Sequence, residues 1–201
     1  MATRLSARRP VWDPSDLGAL VERAAGGDVE AFDQLVRLHF KRVYGLLFRM
    51  IGNHEDAEDL AQECFLKAHG ALAAYRGDAP FASWLARIAV HLSRDHFRRR
   101  GSAPAVEAGL DAVEAPSRDS APPEASSRRE LGASLRAGLE QLPHGLRAAL
   151  VLRGQEGLEY EEIARILEVN PQTARVRVMK ARRRLERWLR PWTGGGEEDP
   201  R

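Results

Sequence analysis

Leu158-Glu-Tyr-Glu-Glu-Ile-Ala-Arg-Ile-Leu-Glu-Val-Asn-Pro-Gln-Thr-Ala-Arg-Val-Arg-Val-Met-Lys-Ala-Arg-Arg-Arg-Leu-Glu-Arg-Trp188 reads as two helices joined by a tight turn. The first is expected from about Tyr160 to Leu167, with Ile163, Ala164, Ile166 and Leu167 available for burial. Asn170 then supplies an N-cap oxygen, and Pro171 takes the first helical position, where a missing N–H is no loss. In the second helix Ala174, Val178, Ala181, Leu185 and Trp188 recur at steps of four and three, which is the stripe of a helix buried along one side.

The opposite face of that second helix is where information can be read. On a 3.6-residue wheel Gln172, Val176, Met179 and Arg183 point away from the stripe, Arg175, Arg177 and Lys180 flank them, and Thr173 lies in the first turn. From Arg175 to Arg190 there are eight basic side chains and one acid, Glu186. A helix of this width fits the major groove, with flanking cations on phosphates and the outward face on base edges. Exposed Val176 and Met179 suit thymine methyls. A charge run alone reads as a solvated helix; the helix–turn–helix grammar before it turns the reading toward DNA.

The charge is distributed to match. The 201 residues carry a net charge of +2, but residues 16–100 are balanced with 12 basic and 12 acidic side chains. Residues 101–127 hold one basic and five acidic side chains, while 128–192 hold 14 and 8. The positive excess therefore sits with the helix–turn–helix, as a DNA-binding module requires. One cysteine, Cys64, excludes an internal disulfide and a multi-cysteine zinc cage, and its apolar neighbours predict a buried, inert thiol. No segment has the length and apolarity of a membrane span, so a cytoplasmic chain without membrane insertion is expected.

Working outward from the quoted stretch, residues 1–15 read as a flexible basic leader. A short helix is expected from Asp16 to Ala25, ended by Gly26-Gly27, and Asp28 then caps a long helix. Phe32, Leu35, Val36, Phe40, Val43, Leu47 and Ile51 repeat along it at helical spacing, with Tyr44 and Phe48 widening the face, and Gly52-Asn53 stops it. A third helix, from about Glu55 to Ala73, turns Ala57, Leu60, Ala61, Cys64, Phe65, Ala68 and Leu72 inward. Outward it shows Glu55, Glu58, Asp59, Gln62, Glu63 and Lys67. The helix dipole accounts for some of these acids, at ~0.3–1 kcal/mol each. Counting Asp56 there are five acids within nine residues, more than capping needs, which suits docking on a basic partner.

After the loop Tyr75-Arg76-Gly77-Asp78-Ala79-Pro80, a fourth helix from about Phe81 presents Phe81, Trp84, Leu85, Ile88, Ala89 and Leu92 to the core. It ends in a ridge of Arg94, Arg98 and Arg99-Arg100 beside an aromatic-rich loop, the combination an unstacked single strand would want. Residues 101–127, rich in Pro, Gly, Ser and Ala, have too little apolar surface to fold and read as a disordered acidic linker. Its relaxed span is roughly 25–30 Å and its stretched limit roughly 90 Å. A helix from about Arg129 to Gln141 and another from Arg147 to Arg153 precede the helix–turn–helix, and 193–201 form a loose tail. The expected architecture is all-α, two small helical bundles (16–100 and 128–192) joined by a flexible linker.

Taken together these runs resemble the extracytoplasmic-function (ECF) sigma factors of the bacterial sigma-70 family. The resemblance is carried by Asp56-Ala-Glu-Asp-Leu-Ala-Gln-Glu-Cys-Phe-Leu-Lys67, by Tyr75-Arg-Gly-Asp-Ala-Pro-Phe-Ala-Ser-Trp-Leu-Ala-Arg-Ile-Ala-Val90 and by Asp95-His-Phe-Arg-Arg-Arg100 in the first bundle. In the second it is carried by Leu142-Pro, Leu152-Arg153 and Leu158-Glu-Tyr-Glu-Glu-Ile-Ala164. It implies a region 2-like domain at 16–100 and a region 4-like domain at 128–192, whose partners are RNA polymerase core (through the beta-prime clamp helices and the beta flap) and promoter DNA, both duplex and melted. It implies that Asp56, Glu58, Asp59, Gln62, Glu63 and Lys67 dock on core polymerase. Arg76, Asp78, Phe81, Trp84, Arg87, His91, Arg94, Asp95 and Arg98 would melt and hold the minus-ten element. Gln172, Thr173, Arg175, Val176, Arg177, Met179, Lys180 and Arg183 would read the minus-thirty-five element. An inhibitory anti-sigma factor is expected; no cofactor, metal or catalytic activity is.

The sequence departs from the family pattern at His91, where an asparagine is usual, at Glu168, in place of the usual turn glycine, and along the recognition helix. A left-handed residue at Glu168 would be mildly strained. Two rival readings are a polymerase-independent helix–turn–helix regulator, which would need no acidic docking face, and a metalloenzyme using His54, Glu55, Asp56, Glu58 and Asp59 with His69, His91 and His96. The second lacks facing Glu-x-x-His pairs and any nucleophile–base motif.

Overall fold

The computed structural model describes residues 14–101 and 128–190. The expectations for the leader, the acidic linker and the tail lie outside the described residues. Eight α-helices are described: α1 (Pro14–Ala25), α2 (Val29–Ile51), α3 (His54–Ala71), α4 (Phe81–Arg99), α5 (Arg128–Glu140), α6 (His144–Gly154), α7 (Tyr160–Leu167) and α8 (Pro171–Leu189). A single 3₁₀ turn, Leu72–Ala74, follows α3. The fold is all-α, with α1–α4 forming one bundle and α5–α8 the other.

Local chemistry sets the helix ends. Asp28 Oδ1 accepts the Ala31 N–H at 3.0 Å, while its Oδ2 takes Arg23 at 2.6 Å, so one side chain both caps α2 and ties it to α1. Gly52, at φ 84°, closes α2 by donating to the Phe48 carbonyl, and Asn53 caps α3 by accepting from the amides of Glu55 and Asp56. Asn170 accepts the Thr173 N–H at 2.7 Å with Pro171 behind it, as the sequence predicts.

The buried stripe of α2 runs through Ala31, Leu35, His39, Val43, Leu46, Leu47, Met50 and Ile51. It is rotated slightly from the expected one, so that Phe32, Val36, Phe40, Tyr44 and Phe48 form a half-buried flank. Aromatic pairing explains the rotation. Phe40 stacks toward Phe65, Phe48 lies on His54 at 4.1 Å between centroids, and Phe32 meets His69 edge-on at 4.7 Å. In α8, Ala174, Val178 and Ala181 are buried as expected, while Leu185 and Trp188 are half-buried against α5, where the Trp188 indole donates to the Ser134 carbonyl at 3.1 Å.

The two bundles pack on one another. Helices α2 and α4 meet α5, α6 and α7, and the buried apolar residues of both bundles form one continuous cluster. Arg147 is the centre of this contact. It is buried on α6 and donates from Nη1 to the Met50 carbonyl at 2.5 Å and from Nη2 to the carbonyls of Glu140 and Leu142 at 2.6 and 3.1 Å. Its guanidinium also lies 5.4 Å from the centroid of the Phe97 ring. Around it Arg42 pairs with Glu156, Arg49 donates to Gln155 at 2.7 Å, and the Ser93 hydroxyl meets His144 Nε2 at 2.9 Å. The tether on which the sequence hangs the two bundles thus joins bodies that touch.

Candidate nucleic-acid interface

Helix α8 carries the outward face expected of a reading helix. Gln172, Arg175, Met179 and Arg183 are exposed, Met179 by 44%, and Val176, Lys180 and Thr173 are half-exposed. Arg177 is different. It was expected on the flank, but it is only 7% exposed and lies near enough to His144 to disfavour that ring's protonation. The reason is angular: Arg177 is adjacent to buried Val178 and three positions from buried Ala174, so it belongs to the packed side of the helix. Arg175 is steadied instead by Tyr160, whose ring centroid lies 5.0 Å from its guanidinium and equally 5.0 Å from that of Arg153. Arg153 in turn donates to the Leu158 carbonyl at 2.7 Å and pairs with Glu159 at 2.9 Å, so the entry to α7 and the base of the reading helix are braced together.

On the first bundle, the loop before α4 folds over an aromatic knot. Tyr75, Phe81 and Trp84 lie within 5.7 Å of one another between ring centroids, and the Tyr75 hydroxyl donates to the Ala79 carbonyl at 2.6 Å. Burial raises the Tyr75 phenol above its ordinary value. Phe81 is buried, meeting His39 edge-on, so it anchors the loop, while Trp84 remains half-exposed. Arg76, Asp78, Arg87, Arg94 and Arg98 are exposed; His91 and Asp95 are half-buried, Asp95 pairing with Arg98 at 3.4 Å. A cleft of about 300 Å³ opens between this loop and α7, lined by Tyr75, Arg76, Trp84 and Arg87 on one side and Glu162 and Arg165 on the other.

On α3, Glu58, Asp59 and Gln62 stand exposed and Glu63 pairs with Lys67 at 3.2 Å. Asp56 is partly withdrawn from this face, because Arg100 pairs with it at 3.0 Å and His96 lies 3.9 Å away, closing the end of α4 onto the start of α3. Leu66, which sequence periodicity alone left unmarked, is 74% exposed on the same side, one turn beyond Gln62 and two beyond Asp59. Among the described residues no three of His, Cys, Asp and Glu gather closely enough to hold a metal ion, and no helix is long and apolar enough to cross a membrane. Cys64 is fully buried, and burial pushes its thiol up to about 12.

A helix–turn–helix with an exposed basic face, packed against a second bundle with its own arginine-bearing helix, defines a two-module DNA-binding protein. Residues 35–103 match the model of sigma-70 region 2, and residues 133–185 match that of sigma-70 region 4. The chain is 38% identical over 185 residues to the RNA polymerase sigma-H factor of Pseudomonas aeruginosa, a match covering 86% of this chain and 93% of that protein. It is 36% identical over 180 residues to the ECF RNA polymerase sigma-E factor of Escherichia coli K12, with the same coverage of 86% and 93%. Among solved structures it resembles the sigma factor RpoE bound to the anti-sigma factor NepR from Bartonella quintana, with TM-score 0.62, 26% identity, and 81% and 98% of the two chains covered. It also resembles CnrH in complex with the cytosolic domain of CnrY, with TM-score 0.64, 28% identity, and 86% and 96% covered. The chain belongs to the ECF sigma factors of the sigma-70 family. It is accordingly a non-catalytic subunit that directs RNA polymerase to promoters.

Proposed function

We propose that this sigma factor divides its work among three faces. The exposed side of α3, with Glu58, Asp59, Gln62, Glu63 and Lys67 around Leu66, docks on the clamp helices of core polymerase, its acids supplying steering and register. The Tyr75–Phe81 loop and α4 hold the melted minus-ten strand, with Trp84 as a stacking surface and Arg76, Arg87, Arg94 and Arg98 for phosphates. Extruding a base costs a few kcal/mol of stacking, and these contacts offset it. Helix α8 reads the minus-thirty-five duplex through Gln172, Val176 and Met179, with Arg175, Lys180 and Arg183 on the backbone. Arg177 acts from inside the fold and not on DNA.

The observation that carries this reading is the outward face of α8, where apolar Val176 and Met179 are accessible between exposed arginines; a merely solvated helix has no use for them. One structural relative is bound to an anti-sigma factor, and CnrH is in complex with the cytosolic domain of CnrY, which supports a proteinaceous inhibitor for this chain as well. Run-off transcription with core polymerase on fragments of the host genome tests the whole reading. New, discrete start sites are expected, and their absence from every native template would end it.

A further inference from the structure

Glu168 ends α7 in the left-handed region, at φ 55° and ψ 45°, and it is the one non-glycine with positive φ among the described residues. A glycine would sit there without strain. The carboxylate at this position reaches out of its own bundle. Its Oε1 accepts from Arg87 Nη2 at 2.9 Å and stands 3.6 Å from His91 Nε2, both on α4. The hydrogen bond from Arg87 holds the Glu168 carboxyl below its ordinary range. One turn of α4 earlier, the Ser83 hydroxyl lies 3.4 Å from Glu162, so a second acid of α7 faces the same helix.

A carboxylate on a guanidinium occupies the place a phosphate would take, since both anions present paired oxygens to the planar guanidinium fork. We propose that Glu168 is an internal stand-in for a DNA phosphate, latching the turn of the helix–turn–helix onto Arg87 of α4 and occupying that arginine until nucleic acid displaces it. This rests on α4 being the strand-binding face. Glu168 and a phosphate compete for Arg87, because two anions set against one guanidinium repel each other, so strand binding and closure of the two bundles oppose one another, and each weakens the other by the same factor. Half the surface of both side chains in the Arg87–Glu168 pair remains in water, so the latch biases the equilibrium by a few-fold and is readily opened.

The test uses the full chain with cysteines introduced at exposed Gln34 on α2 and Arg182 on α8 for spin labels, buried Cys64 being left in place. Double electron–electron resonance is expected to give a dominant short distance with a minor long-distance population for the wild type, and a roughly two- to fivefold larger long-distance population for Glu168→Gln. The affinity for a 20-nucleotide single-stranded DNA of mixed sequence should rise by the same factor, and the exchange Arg87→Glu with Glu168→Arg should restore the short distance. Identical distance distributions for wild type and Glu168→Gln would overturn the latch even if transcription succeeds. A changed distribution with unchanged strand affinity would overturn the competition with phosphate. Failure of run-off transcription, by contrast, would strike the sigma-factor roles assigned to the three faces.

Discussion

At the scale of single residues, the outward positions of α8 separate into two kinds. Val176 and Met179 offer methyl and thioether surface to base edges, whereas Arg175, steadied over Tyr160, offers charge to a phosphate. Val176→Ala or Met179→Ala should therefore change which promoters are preferred, by ~1–3 kcal/mol at the contacted base pair. Arg175→Ala should weaken all sites alike and reduce the salt slope by about one. Binding of the holoenzyme to a promoter library at two ionic strengths distinguishes them. Arg147 makes a different prediction. Burial lowers its pKa to about 10, so it stays charged at neutral pH while satisfying three carbonyl oxygens from two bundles. Arg147→Ala strands those acceptors and should lower stability by ~2–4 kcal/mol in a urea titration. Arg147 was legible only as a basic residue in an apolar helix; its role depends on carbonyls of Met50 and Glu140, which no local pattern connects to it.

At the scale of elements, helix ends and buried stripes were legible because caps and 3.6-residue spacing are local. Asp28, Gly52, Asn170 and Pro171 do in the structure what their chemistry predicts, and Asn53, read only as part of the stop to α2, also caps α3. Helix α3 also keeps its outward acids, except that Asp56 is engaged by Arg100. Asp59→Ala with Glu63→Ala should accordingly weaken binding of core polymerase several-fold and leave the affinity of the full chain for duplex promoter DNA unchanged. Equal losses in the two titrations would show that α3 does not act as a separate docking face. Leu66→Asp should weaken polymerase binding too, because an exposed leucine amid acids is the apolar centre such an interface uses.

At the scale of the molecule, two histidines couple the fold to pH. Burial pushes both His39 and His144 down to about 4, His39 beneath Phe81 and His144 at the contact between the bundles. Unfolding frees them to bind protons near the ordinary histidine value of 6.5. The unfolded chain therefore takes up more protons below that pH, so stability is full above about 6.5 and falls toward about 4, by as much as roughly 3 kcal/mol for each ring. Urea midpoints should decline across this window, and His39→Leu should flatten the decline.

The sequence by itself determined the helices, their caps, the buried stripe of α8 and the family, since each of these depends on residues a few positions apart or on ordered runs along the chain. Only the tertiary structure decided that the two bundles touch and that His91 and Glu168, two departures from the family pattern, stand against one another. Those outcomes are set by polar contacts between residues some eighty positions apart, such as Arg87 with Glu168 and Ser83 with Glu162. Such pairs leave no periodicity to read, because their partners are chosen by packing and not by spacing.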